Sequence, residues 1–312
     1  MNGHWSRISA TLLVMAMVMT MAACGGDDEK DKGKGEQKEG TKVEAKNEKK
    51  KKDDKQAADS DKENRTKLQA RSMTGGGTHV TPSLLDGYED VYREPHPLTL
   101  TDLKRKYPST LIMSGVGDKR QVALTFDDAP DNVYTPRVLD VLKKEGVKAT
   151  FFCVGNRIEA HPDVVRRMVA EGHVLGNHTY SHPNLPKLSD AKFREEIRKT
   201  DQLIMKYAGY APSFVRPPYG NISEEQIKWL ASQHRKVVNW NIDSLDWKGL
   251  TRDQVAVNVL SNIKPNAIIL QHSGIGAGGN LDGTVEALPE IIGKLKKDKV
   301  KFVTVPGMIG IP

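Results

Sequence analysis

Two adjacent acidic residues stand in the stretch Thr125-Phe126-Asp127-Asp128-Ala129-Pro130, which follows the apolar run Val122-Ala123-Leu124. The apolar run alternates into Phe126 as a buried strand does, and Pro130 ends regular pairing. Both carboxylates are therefore predicted at a strand end, where a bend can aim them into one site although a strand points successive side chains to opposite faces. Two close acids resist joint ionisation unless a cation or an arginine lies near. The pair predicts a metal site with further ligands elsewhere in the chain.

From Lys119 onward, short apolar runs alternate with amphipathic segments. This alternation is typical of βα units and predicts a parallel sheet, either open or closed. The predicted strands cover residues 121–126, 148–154, 173–176, 213–216, 236–242, 266–271 and 301–305. The predicted helices cover residues 135–145, 162–171, 189–207, 223–233, 251–262 and 284–298.

A second polar cluster, His178-Thr179-Tyr180-Ser181-His182, follows the predicted strand at 173–176. Two histidines four residues apart share one face if this segment is a helical turn. Neutral imidazoles suit zinc and neighbouring first-row metals, and one Asp with two His leaves an open position for water. The histidine motif alone is a weak signal, but together with an acidic pair at another strand end it predicts a catalytic metal centre.

Three more polar clusters follow predicted strands. They are Arg216-Pro217-Pro218-Tyr219-Gly220, Asp243-Ser244-Leu245-Asp246-Trp247 and Leu270-Gln271-His272-Ser273. The first of them has an ordinary structural interpretation as well, a rigid turn with a surface arginine. Five polar clusters at the carboxyl ends of five strands nevertheless match the layout of a barrel-type active site.

The five clusters, in this order, resemble the motifs of the polysaccharide deacetylases with a NodB-homology domain, carbohydrate esterase family 4. The resemblance covers about residues 120–306, and Ala129 stands where the family usually has glycine. The family fold is an α/β fold, a distorted (β/α) barrel of about seven parallel strands, which agrees with the strands predicted above.

The resemblance implies a metal centre and a base. Asp128, His178 and His182 would bind a divalent metal, Zn²⁺ in most of the family, with Co²⁺ or another first-row metal as alternatives. Asp127 would be the general base, and Arg216 would keep it ionised and oriented. The metal would lower the pKa of its water toward neutrality.

The resemblance also implies an acid and a binding slot. His272 would protonate the leaving amine, and Asp246 would keep it cationic and aimed. The backbone N–H of Tyr219 would stabilise the oxyanion, while Trp247 and Leu270 would wall an apolar slot for the acetyl methyl group. The products would be acetate and a free amino sugar.

The N-terminal part of the sequence is typical of an exported protein. Residues 1–23 combine Arg7 with an apolar stretch, and Met21-Ala22-Ala23-Cys24 resembles the lipobox of bacterial lipoproteins. The alternative is a plain secretory signal with Cys24 incidental. Lipidation of Cys24 would anchor the chain to the cell membrane, facing the cell wall, because two or more acyl chains hold a protein stably.

Three segments follow the signal. Residues 24–72 form a charged linker that lacks aromatic residues and cannot bury enough apolar surface to fold. Residues 73–118 are predicted to be an N-terminal extension packed on the main domain, with a short helix between Thr99 and Tyr107. Residues 119–312 form the predicted deacetylase domain. We expect the protein to be a monomer.

The charge pattern argues against a nucleic-acid partner. The net charge of +7 is spread along the chain, and residues 27–71 hold 15 Lys/Arg against 13 Asp/Glu. A redox or nucleotide-binding protein is disfavoured as well, because a Cys-x-x-Cys motif and a Rossmann glycine fingerprint are missing from the sequence.

The expected function is N-deacetylation of a cell-envelope polysaccharide. Peptidoglycan, at its N-acetylglucosamine residues, is the favoured substrate because the chain is predicted to be exported and tethered. Chitin oligomers, poly-N-acetylglucosamine and acetylxylan stay open, since the five motifs read only the acetyl group and the metal. The alternative of another class is a non-catalytic glycan-binding lipoprotein on a deacetylase fold.

Overall fold

A computed structural model describes residues 81–84 and 99–311. The predicted signal peptide 1–23, the lipidated Cys24 and the linker 24–72 lie outside the described residues, as does most of the predicted extension 73–118. Within the described ranges, the helices are all too short or too polar to cross a bilayer.

A curved sheet of nine strands forms the centre of the described part of the chain, with the strand order β1-β6-β5-β4-β3-β2-β8-β7 and β9 beside the start of β2. Every pair of named strands is parallel. The strands are β1 (Leu111–Ile112), β2 (Gln121–Ala129), β3 (Thr150–Cys153), β4 (Val174–Asn177), β5 (Phe214–Val215), β6 (Lys236–Val238), β7 (Ile242–Asp243), β8 (Ala267–His272) and β9 (Lys301–Phe302).

Helices connect the strands, as a parallel sheet requires. The α-helices are α1 (Leu100–Lys106), α2 (Tyr134–Glu145), α3 (Gly155–Ala160), α4 (Pro162–Ala170), α5 (Asp190–Ala208), α6 (Glu224–Ser232), α7 (Arg252–Leu260), α8 (Asp282–Lys297) and α9 (Val305–Ile309). Short 3₁₀ turns occupy Leu185–Lys187, Pro218–Gly220 and Asp246–Lys248.

The segment after β1 brings the two ends of the sheet together. Ser114 forms an antiparallel bridge with Ala267 at the start of β8, and the Gly115 N–H donates to the Asn266 carbonyl at 2.9 Å. Because β1 is the first strand of the order and β8 the last but one, these bonds curve the sheet round on itself. The predicted fold class, a distorted (β/α) barrel, is confirmed.

The side chains of β2 alternate between two apolar layers. Val122, Leu124 and Phe126 pack in the cluster that contains α2 and α8 side chains, whereas Ala123 packs in a separate cluster with Phe152. The two-residue period of a strand places Thr125 and Asp127 on the same face as Ala123. The acidic pair therefore lies at the end of a strand that the core fixes on both faces.

The structure differs from the prediction in the number and limits of its strands. The single strand predicted at 236–242 is two strands, because the chain changes neighbour: the Asn239 N–H donates to the Ile112 carbonyl, and the Asn241 N–H donates to the Ile268 carbonyl. The strand β1 was not predicted, and it lies within the segment that we assigned to the extension. The strand predicted at 301–305 ends early, and α9 begins at Val305.

Candidate active site

A β-bulge at the end of β2 aims Asp127 and Asp128 at one place. Phe126 pairs with Phe151 of β3, but Ala129 pairs with Cys153, so β2 has one residue more than β3 over this interval. Asp128 adopts a left-handed conformation with φ of 61°. As a result, an oxygen of each carboxylate lies 3.7 Å from His178 Nε2. The bend expected at this strand end is present.

Three buried side chains could hold a metal ion. Ligand atoms of Asp128, His178 and His182 lie within 4.8 Å of one another. Asp128 Oδ1 is 3.4 Å from His182 Nε2. His178 Nδ1 donates to the Arg216 carbonyl at 2.7 Å, which leaves the lone pair of Nε2 facing Asp128.

The donor set fits a divalent cation. Asp128 Oδ1 and His178 Nε2 are buried and lack a hydrogen-bond partner among the described residues. Burial raises the pKa of Asp128, and the charges of Arg157 and two histidines counteract part of that rise. One carboxylate and two imidazoles form an N/O site of the kind that zinc and its neighbours prefer.

The two histidines meet through a loop rather than a helical turn. Thr179 and His182 both have positive φ values, 69° and 61°. One side of the loop is held by Glu196 of α5, which accepts hydrogen bonds from the backbone N–H groups of Tyr180 and Ser181, both at 2.8 Å. The condition of a helical turn is therefore not met, although the spacing still brings the imidazoles together.

The start of α3 holds the other side of this loop. The Gly155 N–H donates to the Thr179 carbonyl and the Asn156 N–H to the Tyr180 carbonyl, both at 2.9 Å. The roles of Glu196 and of the start of α3 were not predicted from the sequence. An acidic residue on an amphipathic helix carries no local signal of such a contact.

Arg216 is fully buried and holds Asp127. Its Nη1 donates to Asp127 Oδ1 at 2.7 Å and to Thr125 Oγ1 at 2.8 Å. The guanidinium also lies 3.9 Å from the centre of the Phe152 ring. The predicted pairing of Arg216 with Asp127 is thus present in the structure, and the contacts fix the carboxylate in a single orientation.

His272 lies opposite Asp127 on the neighbouring strand. The two residues are partners in the β2–β8 register. His272 Nδ1 donates to Asp246 Oδ1 at 2.7 Å, and Asp246 Oδ2 accepts from the His272 backbone N–H and the Thr284 hydroxyl. Asp246 therefore fixes both the ring and the backbone of His272.

The remaining predicted residues surround this centre. Tyr219 is left-handed, with φ of 61°, and its hydroxyl lies 3.2 Å from His182 Nδ1. Leu270 is fully buried on β8. Half-buried Trp247 lines a groove of about 700 Å³ together with residues 248–249, 275 and 277–280. Trp247, one of the residues that line the groove, directly follows Asp246 in the sequence.

Comparison with known proteins finds one family. A family model described as polysaccharide deacetylase matches residues 114–238. A peptidoglycan-N-acetylglucosamine deacetylase of Bacillus cereus is 51% identical over 195 residues, which are 62% of this chain and 70% of that protein. The peptidoglycan-N-acetylglucosamine deacetylase PgdA of Listeria monocytogenes is 34% identical over 210 residues, covering 66% of this chain but only 43% of that protein.

The fold is also similar to a solved structure. The crystal structure of a peptidoglycan N-acetylglucosamine deacetylase in complex with 4-naphthalen-1-yl-N-oxidanyl-benzamide superposes with a TM-score of 0.65 at 47% sequence identity. The match covers 68% of this chain and 98% of that one.

Proposed function

Because the chain belongs to the polysaccharide deacetylase family, we propose that it hydrolyses the acetamide of N-acetylglucosamine residues in peptidoglycan and releases acetate. The observation that carries this proposal is the convergence of one carboxylate and two imidazoles, Asp128, His178 and His182, beside a second carboxylate and a third imidazole, Asp127 and His272. The 51% identity to a peptidoglycan-N-acetylglucosamine deacetylase supports the choice of substrate.

In this proposal, Asp128, His178 and His182 hold a divalent metal, Zn²⁺ or alternatively Co²⁺ or another first-row ion. When bound, the ion would supply an acidified water and an electrophilic contact for the amide oxygen. The hydrogen bond from His178 Nδ1 to the Arg216 carbonyl supports this assignment, since it orients the ring and leaves Nε2 as the ligand atom.

Asp127 is proposed as the general base that takes a proton from the attacking water. Its Oδ2 faces His178 Nε2, while its Oδ1 accepts from Arg216. The arginine favours the ionised carboxylate and leaves the second oxygen available for the proton.

His272 is proposed as the general acid that protonates the leaving amine. Because Nδ1 is hydrogen-bonded to Asp246, Nε2 is the nitrogen that can deliver a proton. The carboxylate of Asp246 stabilises the imidazolium form and restricts rotation of the ring. Because the nitrogen is protonated as the C–N bond breaks, the leaving group is a neutral amine rather than an amine anion, which is a poor leaving group.

Contacts to the substrate are proposed for three residues. The backbone N–H of Tyr219 would donate to the developing oxyanion, a contact that typically contributes several kcal/mol of transition-state stabilisation. Trp247 and Leu270 would wall the slot for the acetyl methyl group. The groove beside Trp247 has the volume of an ordinary ligand site and can accommodate part of a sugar substrate.

The proposed location is outside the cell, on the membrane that faces the cell wall. The lipobox-like Met21-Ala22-Ala23-Cys24 and the charged linker 24–72 support a lipid-anchored enzyme, which we propose to be a monomer. Replacing Cys24 with Ala should move the protein from the membrane fraction to the medium. Retention of the variant in the membrane fraction would exclude the lipid anchor.

Product analysis tests the proposed activity and substrate together. The zinc-loaded protein is incubated with peptidoglycan glycan strands, chitin oligomers, poly-N-acetylglucosamine and acetylxylan, and released acetate and deacetylated sugars are measured. We expect acetate release and de-N-acetylated glucosamine residues within the glycan from peptidoglycan at the highest rate. Glycan binding without acetate from any substrate, across several metals, would favour the non-catalytic alternative.

A further inference from the structure

Arg157 of α3 is fully buried next to the metal-binding residues, yet it belongs to none of the five motifs. Its guanidinium reaches three separate segments of the chain. Nη1 donates to the carbonyl oxygen of Asp128 at 2.7 Å, Nη2 to that of Ile275 at 3.2 Å, and Nε to that of Pro82 at 3.2 Å. Burying a charged guanidinium costs free energy unless its N–H groups are hydrogen-bonded. The three carbonyl acceptors therefore indicate which segments Arg157 holds in place.

The contact with Asp128 completes the hydrogen bonding of the bulge. The Asp127 carbonyl accepts from the Ser273 N–H on the β8 side, and the Ala129 carbonyl accepts from the Val154 N–H on the β3 side. The extra residue of a bulge loses its place in the ladder. For Asp128, the guanidinium of Arg157 supplies the donor that the neighbouring strand does not.

The bulge conformation needs such support. A non-glycine residue with φ near +60° is strained relative to the right-handed region, less so for aspartate than for most residues, and its surroundings hold it there. At Asp128 this conformation turns the carboxylate toward His178 and His182. A fixed carbonyl therefore fixes the direction of the metal-binding side chain.

Gly274 supplies independent support for this arrangement. A Cβ atom at this position would overlap the carbonyl oxygen of Asp128 and lie 2.5 Å from Arg157 Nη1. The loop after β8 can therefore approach the Arg157–Asp128 hydrogen bond only because residue 274 has no side chain. The same loop provides the Ile275 carbonyl that Arg157 binds.

We propose that Arg157 is a positioning residue for the metal centre, holding the Asp128 carbonyl so that the bulge presents the Asp128 carboxylate to the ion. This inference rests on the proposed function, because it assumes that Asp128 is a metal ligand. It also connects the centre to the N-terminal side of the domain, since Pro82 precedes the region that the family model matches.

Zinc affinity of the full-length chain tests the proposal without relying on activity. Loss of a group that orients a ligand typically weakens metal binding about 10- to 100-fold. We therefore expect Arg157→Gln to raise the zinc dissociation constant by about that factor in competition with a chromophoric chelator. Arg157→Lys keeps the charge but loses the rigid, planar arrangement of N–H donors, so its zinc affinity should lie between those of Arg157→Gln and the unaltered chain.

Two matched controls separate positioning from general stability. Arg167→Gln makes the same chemical change in α4, where the arginine binds Asp140, Glu171 and the Pro136 carbonyl, and should leave zinc affinity unchanged. Gly274→Ala should weaken zinc binding as Arg157→Gln does, whereas Gly293→Ala, with nothing within 4 Å of the added Cβ, should not.

The cobalt-substituted protein gives a readout that a purely structural role would leave unaltered. A displaced Asp128 changes the ligand field, so the visible spectrum of the Co²⁺ form should change in Arg157→Gln and Gly274→Ala. Thermal unfolding of the metal-free proteins identifies any variant that does not fold. If Arg157→Gln does not fold, Arg157→Lys and Gly274→Ala decide the question. Wild-type zinc affinity and spectrum in the folded variants would overturn this proposal alone, whereas absence of metal binding by the unaltered chain would overturn the proposed function too.

Discussion

At the scale of single residues, the site depends on two neighbouring aspartates with different surroundings. Asp127 is held by the Arg216 guanidinium, while Asp128 faces two imidazoles from a left-handed conformation. The sequence alone predicted that both carboxylates would enter one site. The division between base and ligand came only from the family resemblance, because adjacent identical side chains carry no signal that distinguishes them.

Asparagine substitutions separate the proposed roles of the two acids. Asp127→Asn should lower kcat by about 10²- to 10⁴-fold, the usual contribution of a general base, and leave bound zinc nearly stoichiometric. Asp128→Asn should instead reduce the zinc content. Metal analysis beside acetate-release kinetics gives both quantities. Loss of zinc in Asp127→Asn with retention in Asp128→Asn would show that the assignment is reversed.

Asp246→Asn tests the proposed general acid. The carboxylamide can no longer stabilise an imidazolium at His272, so kcat should fall and the alkaline limb of the pH–rate profile should move to lower pH. Thr284→Val is the control, because it removes a second donor to Asp246 without touching His272. An unaltered pH profile in Asp246→Asn would argue against His272 as the acid.

At the scale of elements, the loop between the two histidines depends on its neighbours. Glu196 accepts three hydrogen bonds from it, two from backbone N–H groups and one from the Ser181 hydroxyl. The adjacent Glu195 instead pairs with Lys192 and Lys199 at the surface. One helix, α5, therefore carries two glutamates of which only one supports the site.

Replacing each glutamate with alanine should distinguish them. Glu196→Ala leaves loop N–H groups without an acceptor, so we expect a loss of about 1–3 kcal/mol in the free energy of unfolding and weaker zinc binding. Glu195→Ala should change neither quantity appreciably, since exposed ion pairs contribute little. Urea unfolding and zinc titration measure both effects. Equal behaviour of the two variants would contradict the role assigned to Glu196.

The elements themselves were largely predictable, and the exceptions have physical causes. Amphipathic periodicity located α2, α4, α5, α6, α7 and α8 to within a few residues, because each buries one face against the sheet. The strand β1 was missed because two residues carry too little pattern. Arg157 and Glu196 were missed because their partners are mostly backbone groups at least 15 residues away in the chain, which residue spacing does not reveal.

At the scale of the whole molecule, stability should depend on pH through a buried histidine. His173 is buried at the start of β4, and its Nδ1 accepts a hydrogen bond from the Ala149 N–H. Burial lowers the pKa of His173 from 6.5 to about 4. Between these values the unfolded chain binds more protons than the folded one, so the free energy of unfolding decreases as the pH falls through this window.

Denaturant unfolding of the metal-free protein at pH 7 and pH 4.5 measures this dependence. His173→Asn keeps an acceptor for the Ala149 N–H and removes the titrating ring, so the variant should lose less stability between the two pH values than the unaltered chain. Histidines of the metal centre are present in both proteins and cancel in the comparison. An equal loss in both would show that His173 does not contribute.

The position of β8 in the sheet determines when the site can form during synthesis. Asp127 and His272 are register partners, yet about 145 residues of chain separate them. At roughly 5–20 residues per second, a ribosome needs on the order of 7–30 s to add this interval. The nascent chain therefore carries its acidic pair for many seconds before the partner strand exists. A product ending before residue 267 would contain four of the five motifs and still lack the strand that completes the reactive centre.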